Sequence, residues 1–367
     1  MQKIKKYNSI FLVNADPIKN AGFFKEYFIN NTQNFVSFHF FPAYSSKTSY
    51  MEKYINGDLV LTKELDGYKG DQVFIKSVFN YIAFVYTLIL QVKRGSYLIT
   101  NAPIYCNGSS LFRKIKSINY ILWLGDYYPD NSFPMNIYNR ILGNFNRSFK
   151  YVIYLNPRLK DVYYNKKTSK SDGKVISLGI KKMYSRKNTA LGKKTRVGFI
   201  GIIRKQQGLD LFFKFLVNNE NCKLEVVGDG YHLQFYKHLA RKLKIQNKVK
   251  FYGSVEDLSK VFKKWDIGIA LYENTEYNLS KYAEPTKIKD YLSYGLPVIT
   301  TGTTYFSKEI SDFNAGQVIN ESTEELDKAI DDIVKNYKKY LEGVDRLVNK
   351  YEYSNWYDEM FKFIARA

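Results

Sequence analysis

The sequence predicts an α/β protein made of two doubly wound parallel-sheet domains. Three observations predict this class. Short apolar runs rich in β-branched and aromatic residues alternate with longer segments of helical periodicity. The alternation stops at residues 181–196, which are rich in Lys, Arg and Ser, and then begins again. A chain of 367 residues is also long enough for two domains that each bury a core.

The first predicted domain spans residues 1–188. Its strands are predicted at residues 9–14, 35–41, 96–100, 118–124, 151–155 and 174–178. Its helices are predicted at residues 23–29, 78–92, 109–115, 135–147 and 157–164. No element is predicted for residues 44–73, because they are polar and irregular in pattern.

The second predicted domain spans residues 189–349. Its strands are predicted at residues 197–200, 223–227, 249–251, 267–271 and 297–300. Its helices are predicted at residues 209–217, 231–243, 257–263, 285–294 and 323–340. Ligands of such sheets bind beyond the carboxyl ends of the strands, so we expect a site in a cleft between the two domains.

The segment from Glu284 to Thr301 combines a helix and a strand with features of an anion site. Pro285 suits the first helical turn and Gly295 suits the position after the last one. The unpaired amides near Thr286 and Lys287 are expected to face an anion. Asp290, one turn later, can accept hydrogen bonds from a sugar diol. This order is typical of a nucleotide held at a helix N-terminus.

Residues 285–299, Pro-Thr-Lys-Ile-Lys-Asp-Tyr-Leu-Ser-Tyr-Gly-Leu-Pro-Val-Ile, resemble the nucleotide-sugar segment of GT-B glycosyltransferases. The resemblance is to the family-4-like (group 1) bacterial enzymes of surface polysaccharide assembly. It implies two Rossmann-like domains and assigns Thr286, Lys287, Ile288 and Asp290 to the donor, with Asp290 on the ribose. The family pattern has a Glu where this chain has Tyr282. Glu284, two residues on, is the candidate sugar contact.

Three glycine-containing loops follow strands of the second domain. The first contains Gly201, where Arg204, or else Lys205, is expected to neutralise phosphate. The resemblance supports these assignments and adds Gly228, Gly253 and Val255 as donor contacts. The alternative for each loop is a tight turn that binds nothing. Family members often have Lys before the Gly that opens the next helix, and this chain has Gln207.

Asp126 ends a predicted strand of the first domain and is the candidate base or acceptor contact. Asp130 is the second choice, and a helix cap or turn is the alternative role. No Asp-x-Asp sequence occurs in the chain. Basic side chains are therefore expected to stabilise the departing diphosphate, and neither a metal ion nor another cofactor is expected. Cys106 and Cys222 lie far apart without metal-ligand spacing, which indicates a reducing compartment.

The charge of the chain is uneven. The net charge is +21; residues 1–190 hold 28 basic and 11 acidic side chains, whereas residues 191–367 hold 28 and 24. The first half is therefore expected to face a polyanion, either anionic lipid or nucleic acid. The apolar run at residues 78–92 is too short to span a bilayer, which needs roughly 20 residues. It is either a helix packed on a sheet or an interfacial membrane helix that ends at Lys93 and Arg94.

Together these features predict a hexosyltransferase-type glycosyltransferase (EC 2.4). By resemblance, it moves sugar from a UDP- or GDP-linked donor to a lipid-linked or glycan acceptor in bacterial surface polysaccharide synthesis, such as capsule or O-antigen, with retention and without metal. It is expected in the cytoplasm, peripheral at the inner face of the plasma membrane, with a helix at 350–367 packed back on the first domain. The alternatives are a catalytically silent GT-B subunit that assists a partner transferase and a basic nucleic-acid-binding protein. No nucleic-acid motif is present, so nucleic acid is not the expected partner.

Overall fold

The chain folds into two compact α/β units, each built on its own sheet. A computed structural model of the protein describes residues 7–14, 23–40, 48–65, 73–101, 117–129, 133–149, 151–164, 167, 173–184, 191–255 and 257–366. The first unit comprises Met1–Asp126, Asn131–Leu178 and Tyr353–Ala367. The second comprises Tyr127–Asp130 and Gly179–Glu352. The first unit thus gives way to the second after Leu178, before the predicted boundary at residue 188, and it also includes the C-terminal residues Tyr353–Ala367.

The sheet of the first unit has eight strands in the order β4-β3-β2-β1-β5-β6-β7-β8. They are β1 Tyr7–Asn14, β2 Thr32–His39, β3 Tyr50–Ile55, β4 Asp58–Glu64, β5 Tyr97–Thr100, β6 Asn119–Leu124, β7 Tyr151–Tyr154 and β8 Lys174–Val175. The pairs from β2 to β8 by way of β1 are parallel, as predicted. The pairs β2–β3 and β3–β4 are antiparallel.

The antiparallel hairpin of β3 and β4 lies in residues 44–73, the segment for which the sequence analysis made no prediction. Its turn is Asn56-Gly57, with φ of 55° and 103°. Asn-Gly at two positive φ values is the preferred chemistry of a two-residue hairpin turn. Every residue of β4 is exposed. A strand without a buried face has no apolar alternation, which is why the hydrophobic pattern did not indicate it.

Helices of the first unit are α1 Phe24–Asn31, α2 Val73–Gln91, α3 Phe133–Ser148, α4 Pro157–Tyr163 and the C-terminal helix Tyr353–Arg366. The helix predicted at 109–115 lies outside the described residues. The C-terminal helix contributes Tyr357, Met360 and Ile364 to the same core as Phe28 and Phe35. The Trp356 indole N–H also donates to the Ser177 carbonyl oxygen at 2.8 Å.

The sheet of the second unit is entirely parallel, in the order β11-β10-β9-β12-β13-β14. Its strands are β9 Thr195–Ile200, β10 Cys222–Val227, β11 Val249–Gly253, β12 Ile267–Ala270, β13 Val298–Thr301 and β14 Gly316–Ile319. Its helices are α5 Leu209–Val217, α6 Leu233–Lys242, α7 Ser259–Phe262, α8 Thr286–Ser293, α9 Ser307–Asp312, α10 Thr323–Lys335 and α11 Tyr337–Lys350. Strand order reverses beside β9, the usual place for a ligand at the carboxyl edge of such a sheet.

Two features of the second unit differ from the prediction. The helix predicted at 323–340 is two helices, α10 and α11, because Asn336 leaves the helical conformation and donates its side-chain amide to Asp332 at 2.7 Å. Strand β14 and helix α9 were not predicted, since both are short. Among the described residues, no helix is both long and apolar enough to cross a bilayer.

Candidate functional site

Helix α8 begins and ends at the residues that the sequence singled out. Pro285 is the N-cap and Thr286 the first helical residue, one position later than predicted. At the other end Gly295 adopts φ of +76°, which L side chains rarely adopt. The Gly295 amide donates to the Leu292 carbonyl at 2.9 Å and the Leu296 amide to the Tyr291 carbonyl at 3.0 Å. This paired pattern is a Schellman motif, which satisfies the last carbonyls of the helix.

The buried face of α8 fixes the helix against the carboxyl ends of two strands. Ile288, Tyr291 and Leu292 are fully buried, as their spacing predicted. The Tyr291 hydroxyl accepts from the Ile200 amide at 2.9 Å and donates to the Ile269 carbonyl at 3.0 Å. These two bonds attach α8, through a residue of its second half, to the ends of β9 and β12. Since the side chain of Ile288 lies in the core, only its backbone is available to a ligand.

Lys287 projects from the first turn of α8 into this region. Its ammonium group lies 4.2 Å from the ring centre of Phe199 and 5.1 Å from that of Tyr272, and it donates to the side-chain oxygen of Gln207. A Cβ atom on Gly201 would stand 3.3 Å from the end of the lysine side chain. Gln207, where the resemblance led us to expect a lysine, therefore positions one.

Arg204 provides a second cation near Lys287. Burial, and then the charge of Arg204, lower the pKa of Lys287 to about 7. The Nε atom of Arg204 is buried, and within the described part of the chain it has no hydrogen-bond partner. Two neighbouring cations with unused donors are a favourable setting for an anion. Lys205, the second choice, is exposed and lies 5.9 Å over the Phe235 ring.

The three predicted glycine loops meet at the same edge of the sheet. The Gly201 amide donates to the Val227 carbonyl at 3.0 Å, and the Gly228 amide to the Gly253 carbonyl at 2.8 Å. Gly228 has φ of +134°, and a Cβ atom there would lie 2.0 Å from the Gly201 carbonyl oxygen. A glycine is therefore required at this approach. Val255, two residues beyond β11, is partly buried.

Asp290 follows Lys287 by about one turn of α8. Its carboxylate makes no hydrogen bond or ion pair with any residue that the structure describes, and burial raises its pKa to about 7. Thr286, at the start of the helix, is exposed. The Thr286 amide donates to the Glu284 carbonyl oxygen at 2.9 Å, so the expectation of an unpaired donor at this residue was wrong. Lys287 and, about one turn later, the unpaired carboxylate of Asp290 follow each other along α8 in the predicted order. Their roles toward a ligand remain predictions.

Glu284 has a different setting from that of Asp290. Its carboxylate forms an ion pair with Lys289, and the side chains of both are only 4% exposed. The Tyr305 hydroxyl donates to the same carboxylate at 3.0 Å. Lys289 in turn lies 4.8 Å over the Phe306 ring, and burial, which outweighs the effect of Glu284, lowers its pKa. Glu284 therefore has structural partners already, and its contact with a sugar stays a prediction.

Asp126 belongs to the first unit. It is exposed and follows β6 by two residues, and its carbonyl accepts from the Tyr163 hydroxyl at 3.3 Å. Asp130 lies outside the described residues. Among the residues that are described, no group of three or more His, Cys, Asp or Glu side chains is placed to hold a metal ion.

Both the second unit and the two-unit fold have counterparts among known proteins. Residues 181–345 match the family "Glycosyl transferases group 1". Comparison with curated protein sequences found no match. Two similar solved structures are a sucrose-phosphate synthase from Thermosynechococcus elongatus and HepE from Anabaena in complex with UDP and glucose. The first has a TM-score of 0.71 at 12% identity and covers 98% of both chains. The second has a TM-score of 0.69 at 13% identity and covers 98% of this chain and all of HepE.

A third structure is larger than this protein. The pneumococcal O-GlcNAc transferase GtfA, in complex with UDP and GlcNAc, has a TM-score of 0.57 at 12% identity over 87% of this chain. The chain covers only 65% of GtfA, just under two thirds of its length. The family match spans most of the second unit, and the solved structures share the two-unit fold. Residues 181–345 therefore belong to the family "Glycosyl transferases group 1", and the chain has the two-unit fold of the glycosyltransferase structures that it resembles.

Proposed function

We propose that the protein transfers a sugar from a nucleotide diphosphate sugar, with UDP as the first nucleotide to test. The observation that carries this proposal is that two cations, Arg204 and Lys287, lie near each other where the glycine loops meet the start of α8. Lys287 and Arg204 would bind the diphosphate. Asp290, one turn later, would accept hydrogen bonds from the ribose. The UDP complexes of HepE and GtfA support UDP over GDP.

The two cations would also supply the main chemical step. Breaking the bond between sugar and diphosphate leaves negative charge on the leaving oxygens, and cations in place before the reaction stabilise that charge. This would remove the need for a divalent ion. Retention of anomeric configuration and a role for Asp126 toward the acceptor hydroxyl are further parts of the proposal, and both rest on the family resemblance.

Calorimetric titration with UDP-, GDP- and ADP-sugars, each with and without Mg²⁺, tests the donor site. We expect one nucleotide to bind in the micromolar range without metal. Lys287→Gln should abolish that binding, whereas Lys335→Gln, at an exposed position of α10, should not. Binding that requires Mg²⁺ would overturn metal independence. Absence of binding to every donor would favour the silent-subunit or nucleic-acid alternative. Binding of a donor without transfer to any acceptor would favour the silent subunit.

The acceptor side of the proposal concerns α2 in the first unit. Six large apolar side chains of this helix are 39–61% exposed and share one face: Val78, Phe79, Ile82, Tyr86, Ile89 and Leu90. The helix contains no acidic residue, and exposed Lys93 and Arg94 follow it. An apolar face flanked by cations is typical of a helix that lies in the interface of an anionic bilayer. We propose this surface as the membrane contact and a lipid-linked glycan as the acceptor.

Sedimentation with phosphatidylglycerol vesicles tests the membrane contact. Ile82→Gln with Leu90→Gln removes two exposed side chains whose burial would contribute about 2 kcal/mol, so binding should weaken about 30-fold. Val162→Gln with Val217→Gln, at positions 40% and 42% exposed elsewhere, should leave binding unchanged. Equal loss in both double variants would contradict the proposed surface. Added salt should weaken binding by the wild type.

A further inference from the structure

A cavity of about 520 Å³ lies in the second unit at the amino edge of its sheet. Arg196 stands near the start of β9, Lys223 near the start of β10, and Asp266 directly before β12; all three line the cavity. These strands are adjacent in the sheet. The glycine loops and Lys287 lie at the opposite, carboxyl ends of the same strands. At about 3.3 Å per residue, six-residue β9 separates the two places by about 20 Å.

The lining of this cavity is strongly cationic. It contains six basic side chains, all exposed: Lys193, Lys194, Arg196, Lys223, Lys263 and Lys264. None of them forms an ion pair within the part of the chain that the structure describes. Other basic residues of the unit have acidic partners, as Lys350 has in Glu309 and Lys248 in Glu220. The charge of this lining therefore remains available to a ligand.

Asp266, the one acidic residue of the lining in the described part of the chain, does not cancel this charge. One oxygen of Asp266 accepts the backbone N–H of Arg196 at 2.9 Å, and the Asp266 amide donates to the Arg196 carbonyl at 2.8 Å. These bonds join the start of β9 to the loop that precedes β12. Asp266 is thus engaged with the backbone, and six cations face a concave space with one carboxylate among them. Such a field concentrates small polyanions.

The cavity has the volume of a small-molecule site, since ligand pockets span roughly 300–1,000 Å³. Among the described residues, the lining contains no aromatic side chain on which a nucleobase would stack. Flexible lysine ammonium groups bind phosphate oxygens as point charges. Several of them at one site match a ligand with several phosphate groups better than one with a single carboxylate.

We infer that this cavity is a second anion site, separate from the donor site, for a compound that carries two or more phosphate groups. The source of those phosphates is either a soluble molecule or a lipid headgroup. The inference does not depend on the proposed transfer reaction, because it uses none of the donor-site residues.

Titration of the Lys287→Gln protein with inorganic pyrophosphate tests the site, since that background removes a donor-site cation. We expect binding that weakens about tenfold or more in Arg196→Gln/Lys223→Gln, because two charges near the anion are lost. The matched control is Arg241→Gln/Lys242→Gln, which removes the same residue types at exposed positions outside the cavity. Asp266→Asn keeps an oxygen for the Arg196 amide and should tighten binding about threefold. A misfolded variant would not show such a gain.

The lipid source is tested with cardiolipin vesicles, whose headgroup carries two phosphates, on the Ile82→Gln/Leu90→Gln protein. Loss of vesicle binding in the cavity variant alone, with no pyrophosphate binding, assigns the site to a lipid headgroup. Pyrophosphate binding that the cavity variant loses assigns it to a soluble ligand. Absence of both, or equal loss in cavity and control variants, overturns the inference.

Discussion

Removing the charge of Glu284 is expected to destabilise the second unit strongly. In Glu284→Gln the Tyr305 hydroxyl can still donate to the amide oxygen, but the Lys289 ammonium loses its ion pair with Glu284. The Lys289 side chain is only 4% exposed and its ammonium lies over the rings of Phe306 and Tyr351, so water is largely excluded from the place of the carboxylate. Removing one partner of a buried ion pair costs about 3–5 kcal/mol. For a unit of this size the unfolding midpoint should fall by roughly 6–20 °C.

Calorimetry and urea unfolding measure this loss in the free energy of unfolding. The destabilisation comes from the positive charge of Lys289. The loss in the free energy of unfolding should therefore shrink as the pH rises toward the range where this amine is neutral. Glu284→Gln/Lys289→Met removes both charges and should recover most of the stability. A single variant within about 1 kcal/mol of wild type, or a double variant no better than the single one, would refute the reasoning. Transfer activity of the recovered double variant then separates the roles: unchanged turnover means Glu284 is structural, and lost turnover supports the sugar contact.

Three further predictions concern the donor site and the two cores. Above pH 7 the ammonium of Lys287, whose pKa is about 7, loses its charge, so donor affinity should fall about tenfold per pH unit up to pH 9. Calorimetric titration of the donor is best done on Asp290→Asn, because the Asp290 carboxyl otherwise titrates in the same pH range. A donor affinity that does not change between pH 7 and pH 9 would contradict the prediction. In Gly208→Ala the new Cβ would lie 1.8 Å from the Leu271 carbonyl oxygen at φ of +72°, so urea unfolding should show a loss of at least about 2 kcal/mol. Met360→Ala leaves a void in the core of the first unit and should cost about 2–4 kcal/mol in the same assay, whereas alanine at an exposed position of that helix should cost little.

The parts of the site that the sequence predicted are those with strong local signals. Pro285 and Gly295 bound α8 because each has backbone chemistry suited to one end of a helix, and the apolar spacing of Ile288, Tyr291 and Leu292 fixed the buried face. Fold class followed for the same reason, since parallel strands buried on both faces are continuous apolar runs.

The parts that the sequence did not predict depend on contacts between distant residues. The bond of Lys287 to Gln207 and the ion pair of Glu284 with Lys289 arise from packing that no local pattern records. For Glu284, its position near a family motif suggested a sugar contact, and nothing in the local sequence indicated that it is buried in an ion pair with Lys289. The hairpin turn at Asn56-Gly57 was different, because the dipeptide was a usable signal that the exposed strands around it obscured.

The C-terminal helix has a consequence for how the chain folds during synthesis. The core of the first unit contains Tyr357, Met360 and Ile364, which leave the ribosome after the whole of the second unit. The second unit needs only residues up to Glu352, so it can complete its core first. Until the last helix emerges, the first unit therefore lacks the part of its core that this helix supplies. During this interval Phe28 and Phe35 lack part of their packing, and the nascent first unit is the part most in need of chaperone protection.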